Sequence, residues 1–180
     1  PADWYYDPTH YQRELEAIWY QDWVCVGRSD SIEKTGDFFV SVIGDEKIIV
    51  TRAAEDRVRA FPNTCRHRGS VLCRKTKGRF PNGRIICPYH TWTYNLEGEL
   101  IATPGRIDTD DFDAADFSLY DVHVEEWSGY IFVNLAEEPK SGLAEFIGSE
   151  GELIANWPIS DMRSVHVETI TLNCNWKIFW

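Results

Sequence analysis

At 180 residues, the chain can form one full domain, or one domain with a substantial attachment, and its 43% hydrophobic and 14% aromatic content indicate a packed globular core. No apolar run approaches the length of a membrane-spanning helix and no signal peptide is visible, so the expectation is a cytoplasmic protein without a membrane partner. The net charge of −11 argues against nucleic acid, but it is uneven: residues 57–95 hold nine Lys and Arg and no Asp or Glu, leaving nine basic against twenty-nine acidic residues elsewhere.

Residues 9–22 read as an amphipathic helix. Leu15, Ile18 and Trp19, with Trp23, recur at helical spacing, while Arg13, Glu14 and Gln21 can face water. Asp7-Pro8 or Thr9 can cap its start, with Gln12 completing a capping box from Thr9. From Val24 the pattern changes to short strands, predicted at 24–27, 38–43, 47–52 and 58–63, with turns at Gly36-Asp37, Gly44-Asp45 and Glu55-Asp56. Further strands are predicted at 84–87, 92–95, 100–102, 122–126 and 129–135, and a second helix over 143–154. Many short strands with regular turns imply an all-β sandwich or barrel. The run through Asp108, Asp110, Asp111, Asp113 and Asp116 lacks the spacing and glycine of a calcium loop and reads as a solvated loop. The tail alternates as a strand through Val165, Val167, Thr169 and Thr171, then reads NCNWKIFW.

The chemistry lies between Cys65 and Tyr94. Cys65-Arg66-His67 is followed, after nineteen residues, by Cys87-Pro88-Tyr89-His90. Thiolates and imidazoles on two loops are metal ligands, and four of them can close a tetrahedron around zinc. A single residue between ligands is short for zinc, however. In an extended C-x-H the Cα atoms stand roughly 6–7 Å apart, which suits ligands of two neighbouring metal atoms. A Rieske cluster has that arrangement, with two Cys on one iron and two His on the other. The remaining cysteines, Cys25, Cys73 and Cys174, read as reduced thiols, Cys73 being near enough to the loops for a supporting role. His10, His123 and His166 are isolated.

The words CRHRG and CPYHTWTY resemble the ligand loops of Rieske non-haem iron oxygenases, the ring-hydroxylating dioxygenase alpha subunits and their relatives. The Y-x-D-P opening, EEWSGYIFVNL and the NWK phrase extend that resemblance to essentially the whole chain. It implies a mainly β, Rieske-type antiparallel β-sandwich with an N-terminal helix and a short C-terminal helical segment. The implied organisation is a helical lead-in at 1–35, a 2Fe–2S domain at 36–140 with cluster loops 65–70 and 87–92, and at 141–180 a linker into a catalytic domain otherwise absent. Cys65, His67, Cys87 and His90 would hold the cluster, with Arg68, Tyr89, Trp92 and Tyr94 around it. The mononuclear Fe(II) would sit in the missing domain, so this chain alone should not hydroxylate. Ser70 and Tyr89 stand where other Rieske proteins carry a disulfide, which points to the low end of a range of about −150 to +300 mV. An NAD(P)H-dependent reductase or ferredoxin is the implied electron donor, and a homo-oligomer, a trimer, the implied full-length assembly. The basic collar suits an acidic donor, unless Arg66, Arg68 and their neighbours pair with carboxylates instead. CRHRGSVLC is also similar to loops of alpha subunits that oxidise quaternary amines such as glycine betaine. The alternative is a stand-alone Rieske ferredoxin-like carrier, against which the N-terminal helix and the NWK tail argue.

Overall fold

The computed structural model describes residues 1–107 and 109–179 and is built from three antiparallel sheets. The middle sheet has the order β4-β3-β2-β5, from β2 (Asp37–Ile43), β3 (Glu46–Ala54), β4 (Arg57–Pro62) and β5 (Lys77–Arg79). On one side lies the sheet β1-β10-β9, from β1 (Val24–Arg28), β9 (His123–Trp127) and β10 (Tyr130–Asn134). On the other is β6-β7-β8, from β6 (Ile85–Ile86), β7 (Thr93–Tyr94) and β8 (Leu100–Ala102).

The sequence of β3 explains the layering. Residues 48–52 are all buried, because the strand is covered on both faces. Ile48 and Val50 pack with Val58, Ala60, Ile131 and Val133 towards the β1-β10-β9 sheet. Ile49 packs the other way with Phe61, Ile85, Tyr94 and the two cysteines Cys65 and Cys87. Each such aliphatic side chain contributes about 1.5–3 kcal/mol on burial. Arg52, 5% exposed, ties the layers together: its Nε–H donates to Ile32 O at 3.1 Å, and its terminal nitrogens grip both Glu126 oxygens at 3.0 Å.

The predicted N-terminal helix is shorter than its periodicity suggests. α1 spans Pro8–Glu14, with Asp7 as N-cap accepting from Thr9 N–H at 2.8 Å, and the chain then loosens into a π-helical turn over Leu15–Trp19. The predicted helix at 143–154 is two short ones, α2 (Leu143–Ile147) and α3 (Glu150–Leu153), separated where Gly148 takes a φ of +55°. No strand forms over 164–171, where the backbone is irregular and exposed. The last helix, α4 (Trp176–Phe179), returns to α1, where Glu14 accepts from Trp176 Nε1–H at 3.0 Å and Lys177 Nζ at 2.6 Å. His10 reaches the same carboxylate at 3.1 Å.

Candidate metal centre

The two ligand loops share one backbone design. In the first, Cys65 N–H donates to Ser70 O at 2.8 Å and Gly69 N–H to Cys65 O at 3.0 Å. In the second, Cys87 N–H donates to Trp92 O at 2.8 Å and Thr91 N–H to Cys87 O at 3.0 Å. The residue four places after each cysteine has positive φ, +66° at Gly69 and +59° at Thr91. Equivalent hydrogen bonds therefore present Cys65 with His67 and Cys87 with His90. The first loop is clamped at its base by Asn63, whose side chain exchanges two hydrogen bonds with Cys73, at 2.7 and 2.8 Å. The second grows out of β6 and returns into β7, paired Ile85 to Tyr94 and Ile86 to Thr93.

The four candidate ligands meet as a sulfur pair and an imidazole pair. Cys65 and Cys87 are 2% and 1% exposed, unbridged, and placed with one thiol against the other. The His67 and His90 rings lie 4.7 Å apart at an interplanar angle of 68°. Nδ1 of each ring is buried without a hydrogen-bond partner, which is costly for a polar atom unless something absent from the protein itself occupies its lone pair. Among the described residues no three His, Cys, Asp or Glu side chains gather as ligands of one ion. Two sulfurs together and two imidazoles together is the ligand division of a two-metal cluster.

Burial, reinforced by His90 and Arg68, holds the His67 imidazolium below its ordinary pKa, leaving a neutral ring able to ligate. Burial likewise pushes the Cys65 thiol up, with Cys87 adding to the effect. The Tyr94 hydroxyl and the His67 backbone N–H oppose the shift. A bound cation would reverse it by taking the thiolate. Burial pushes Cys73 up to about 12, and it packs as a neutral thiol in the same core cluster as Cys65 and Cys87.

The surroundings are partly those expected from sequence. Trp92 stacks on His67 at 4.5 Å, Tyr89 leans on His90 at 3.7 Å, and the buried Tyr94 hydroxyl lies 3.3 Å from Cys65 Sγ. Arg68 is exposed beside His67 and contributes only charge. The acidic run is more than a solvated loop, although Asp108 lies outside the described residues. Its Phe112 and Phe117 stack at 4.9 Å and meet Trp92 edge-on at 6.2 and 5.6 Å, closing the side of the site. Two phenylalanines within an aspartate-rich stretch were the available signal. Arg66 bonds to Asp116 O at 3.0 Å and Ser118 O at 3.2 Å, holding that cover down. His10, His123 and His166 stay away from the site: His10 pairs with Glu14, His123 contacts Glu137 O, and His166 is exposed.

Two Cys–His loops carried by stacked antiparallel sheets are the arrangement of an iron–sulfur domain. The sequence matches the Rieske [2Fe-2S] domain over residues 22–113, and the chain belongs to that family. It is 34% identical over 178 residues to the glycine betaine monooxygenase oxygenase subunit of Chromohalobacter salexigens, covering 99% of this chain and 39% of that protein. It is 29% identical over 183 residues to the chloroplastic choline monooxygenase of Beta vulgaris, covering 99% and 40%. In structure it resembles the quaternary ammonium Rieske monooxygenase CntA with γ-butyrobetaine, with a TM-score of 0.78 at 28% identity over 86% of this chain and 43% of that one. Naphthalene 1,2-dioxygenase from Rhodococcus sp. aligns with a TM-score of 0.75 at 30% identity, over 82% and 34%. The chain thus spans about two-fifths of the length of these curated relatives. As a Rieske domain it takes a 2Fe–2S cluster.

Proposed function

We propose that this chain is the electron-relay part of an oxygenase, with Cys65 and Cys87 holding one iron of the cluster and His67 and His90, through Nδ1, the other. The observation that carries the reading is the pair of buried, unpartnered Nδ1 atoms beside two buried thiols. When bound, the cluster supplies a one-electron carrier. The protein's own residues tune and protect it. Tyr94 donates to the Cys65 sulfur, and Trp92, Phe112 and Phe117 keep water from one side. With Nδ1 given to metal, each neutral imidazole carries its proton on Nε2.

In this reading residues 36–140 are the cluster-bearing domain, with 1–35 as lead-in and 141–180 as the link to a catalytic domain. The donor is an NAD(P)H-dependent reductase or ferredoxin. The acceptor is a mononuclear non-haem iron in the portion that the relatives have and this chain does not span. The names of the relatives favour a quaternary amine as substrate of the complete oxygenase. Its place in the cytoplasm and its assembly as a homo-oligomer, a trimer, are part of the same proposal and follow from the family resemblance alone. Docking of α4 onto α1 supports an N-terminal oxygenase segment over a free-standing carrier, because the NWK phrase is built into the fold. An iron and sulfide assay with EPR on dithionite-reduced protein tests the site. Two irons, two sulfides and a rhombic signal are expected, lost in C87A and H90A. One zinc and a colourless protein would overturn the reading.

A further inference from the structure

The basic collar divides in two. Arg57 pairs with Glu97 at 2.7 Å, Arg59 with Asp121 at 2.6 Å and Arg79 with Asp37 at 2.6 Å, while Arg66 is spent on the carbonyls of the acidic cover. Arg68, Arg74, Lys75, Lys77 and Arg84 are exposed and form no ion pair among the described residues. Arg74 and Lys75 join Lys47, similarly exposed and unpaired, around an open groove of about 490 Å³ behind the first ligand loop. The groove is lined by no Asp or Glu, and it presents Val42 and Val71, 60% and 41% exposed, as apolar contacts. Ser70 forms part of its wall, and Ser70 O accepts the Cys65 N–H at 2.8 Å.

We propose that this groove is where an acidic, protein electron donor docks, so that electrons enter along the Cys65 loop. The inference rests on the electron-relay reading and adds to it the surface and the charge of the partner. A seated donor would touch Ser70, one hydrogen bond from a ligand residue. Long unpaired cations steer an acidic partner and release it as salt rises, as a donor that leaves after each electron requires. A permanent contact between copies of this chain would be poorer in lysine and richer in apolar area. Tyr89 and His90, on the other loop, remain clear of the groove for onward transfer.

The test uses the full chain and an acidic plant-type 2Fe–2S ferredoxin. Binding of the oxidised ferredoxin is measured by calorimetry, and cluster reduction by the reduced ferredoxin in stopped flow, at ionic strengths from about 20 to 500 mM. K47E/R74E/K75E is expected to weaken binding and slow reduction by about tenfold at low salt, and to flatten the salt dependence of both. Reduction by dithionite and the EPR signal should not change, and R84E, outside the groove, should stay within about twofold of the parent. Parental binding by the triple variant, or an equal loss in R84E, would overturn the proposal. So would a change in sedimentation, which would make the groove a contact between copies. A chain that takes up no cluster fails the electron-relay reading instead, and the binding measurement still judges the groove.

Discussion

The Tyr94 hydroxyl sits 3.3 Å from Cys65 Sγ and accepts the Arg66 backbone N–H at 3.2 Å, so it turns its own proton to the sulfur. Burial first, then the Cys65 sulfur, drives the phenol pKa well above its ordinary value, which secures the group as a donor. A hydrogen bond to a thiolate stabilises the more negative, reduced state. Y94F is therefore expected to lower the midpoint potential by roughly 40 mV, about 1 kcal/mol for one electron, in a dye-mediated EPR titration. An unchanged or raised potential would refute that role.

Gly69 and Thr91 occupy the same place in the two loops, and only one of them suits it. Nothing lies within 4 Å of where a Gly69 Cβ would be, so G69A meets no clash and isolates the conformational penalty, about 1 kcal/mol of lost stability. T91G should gain about 0.5–1 kcal/mol, because relief of the left-handed strain exceeds the added chain entropy of glycine. The Thr91 hydroxyl bond to His90 O at 2.7 Å offsets part of that gain. Urea midpoints moving in opposite directions at constant slope would bear this out. Loss of stability in T91G would show that the hydroxyl outweighs the strain.

Cys73 tests how dry the base of the first loop is. With Cys73 only 8% exposed and its thiol pushed up to about 12, iodoacetamide near neutral pH should leave it unmodified in the folded protein, while the exposed Cys174 reacts. Peptide mass mapping reads this directly. Modification of Cys73 at the rate of Cys174 would mean that the Asn63 clamp opens.

The ligand loops and most strands were legible because their signals are local: a C-x-H and a C-x-x-H pair, and β-branched runs between glycine turns. The predictions of 47–52 and 100–102 fall within or on β3 and β8. β5 was missed because Lys77–Arg79 has no apolar alternation; it is a fully exposed edge strand recruited by β2. The alternation at 164–171 misled for the opposite reason, since a strand needs a neighbour for its backbone bonds and among the described residues none runs beside it. Nor could the sequence sort the collar. Arg57, Arg59 and Arg79 look like Arg74 and Lys75 until the sheets bring Glu97, Asp121 and Asp37 to three of them.

Glu14 makes the joint between α1 and α4 sensitive to acid. Burial raises its pKa, but the hydrogen bonds from Lys177 and Trp176, with the charges of Lys177 and His10, outweigh burial and leave the carboxyl below its ordinary 4.5. A depressed folded pKa means that the carboxylate's contribution is fully present above the unfolded value and is lost as pH falls through the folded one. Docking of α4 should therefore hold at neutral pH and weaken below about 4.5, towards a folded pKa that is lower still. E14Q removes the charge at every pH and should cost the docked helix about 2 kcal/mol at pH 7, because Lys177 is left with a neutral partner. Hydrogen exchange of the amides of residues 175–179 is the direct measure. The two proteins should differ by roughly thirtyfold in protection at pH 7 and converge in acid. Equal protection at pH 7 would show that the contact of Trp176 with Trp19, edge-on at 5.3 Å, holds the helix without the carboxylate.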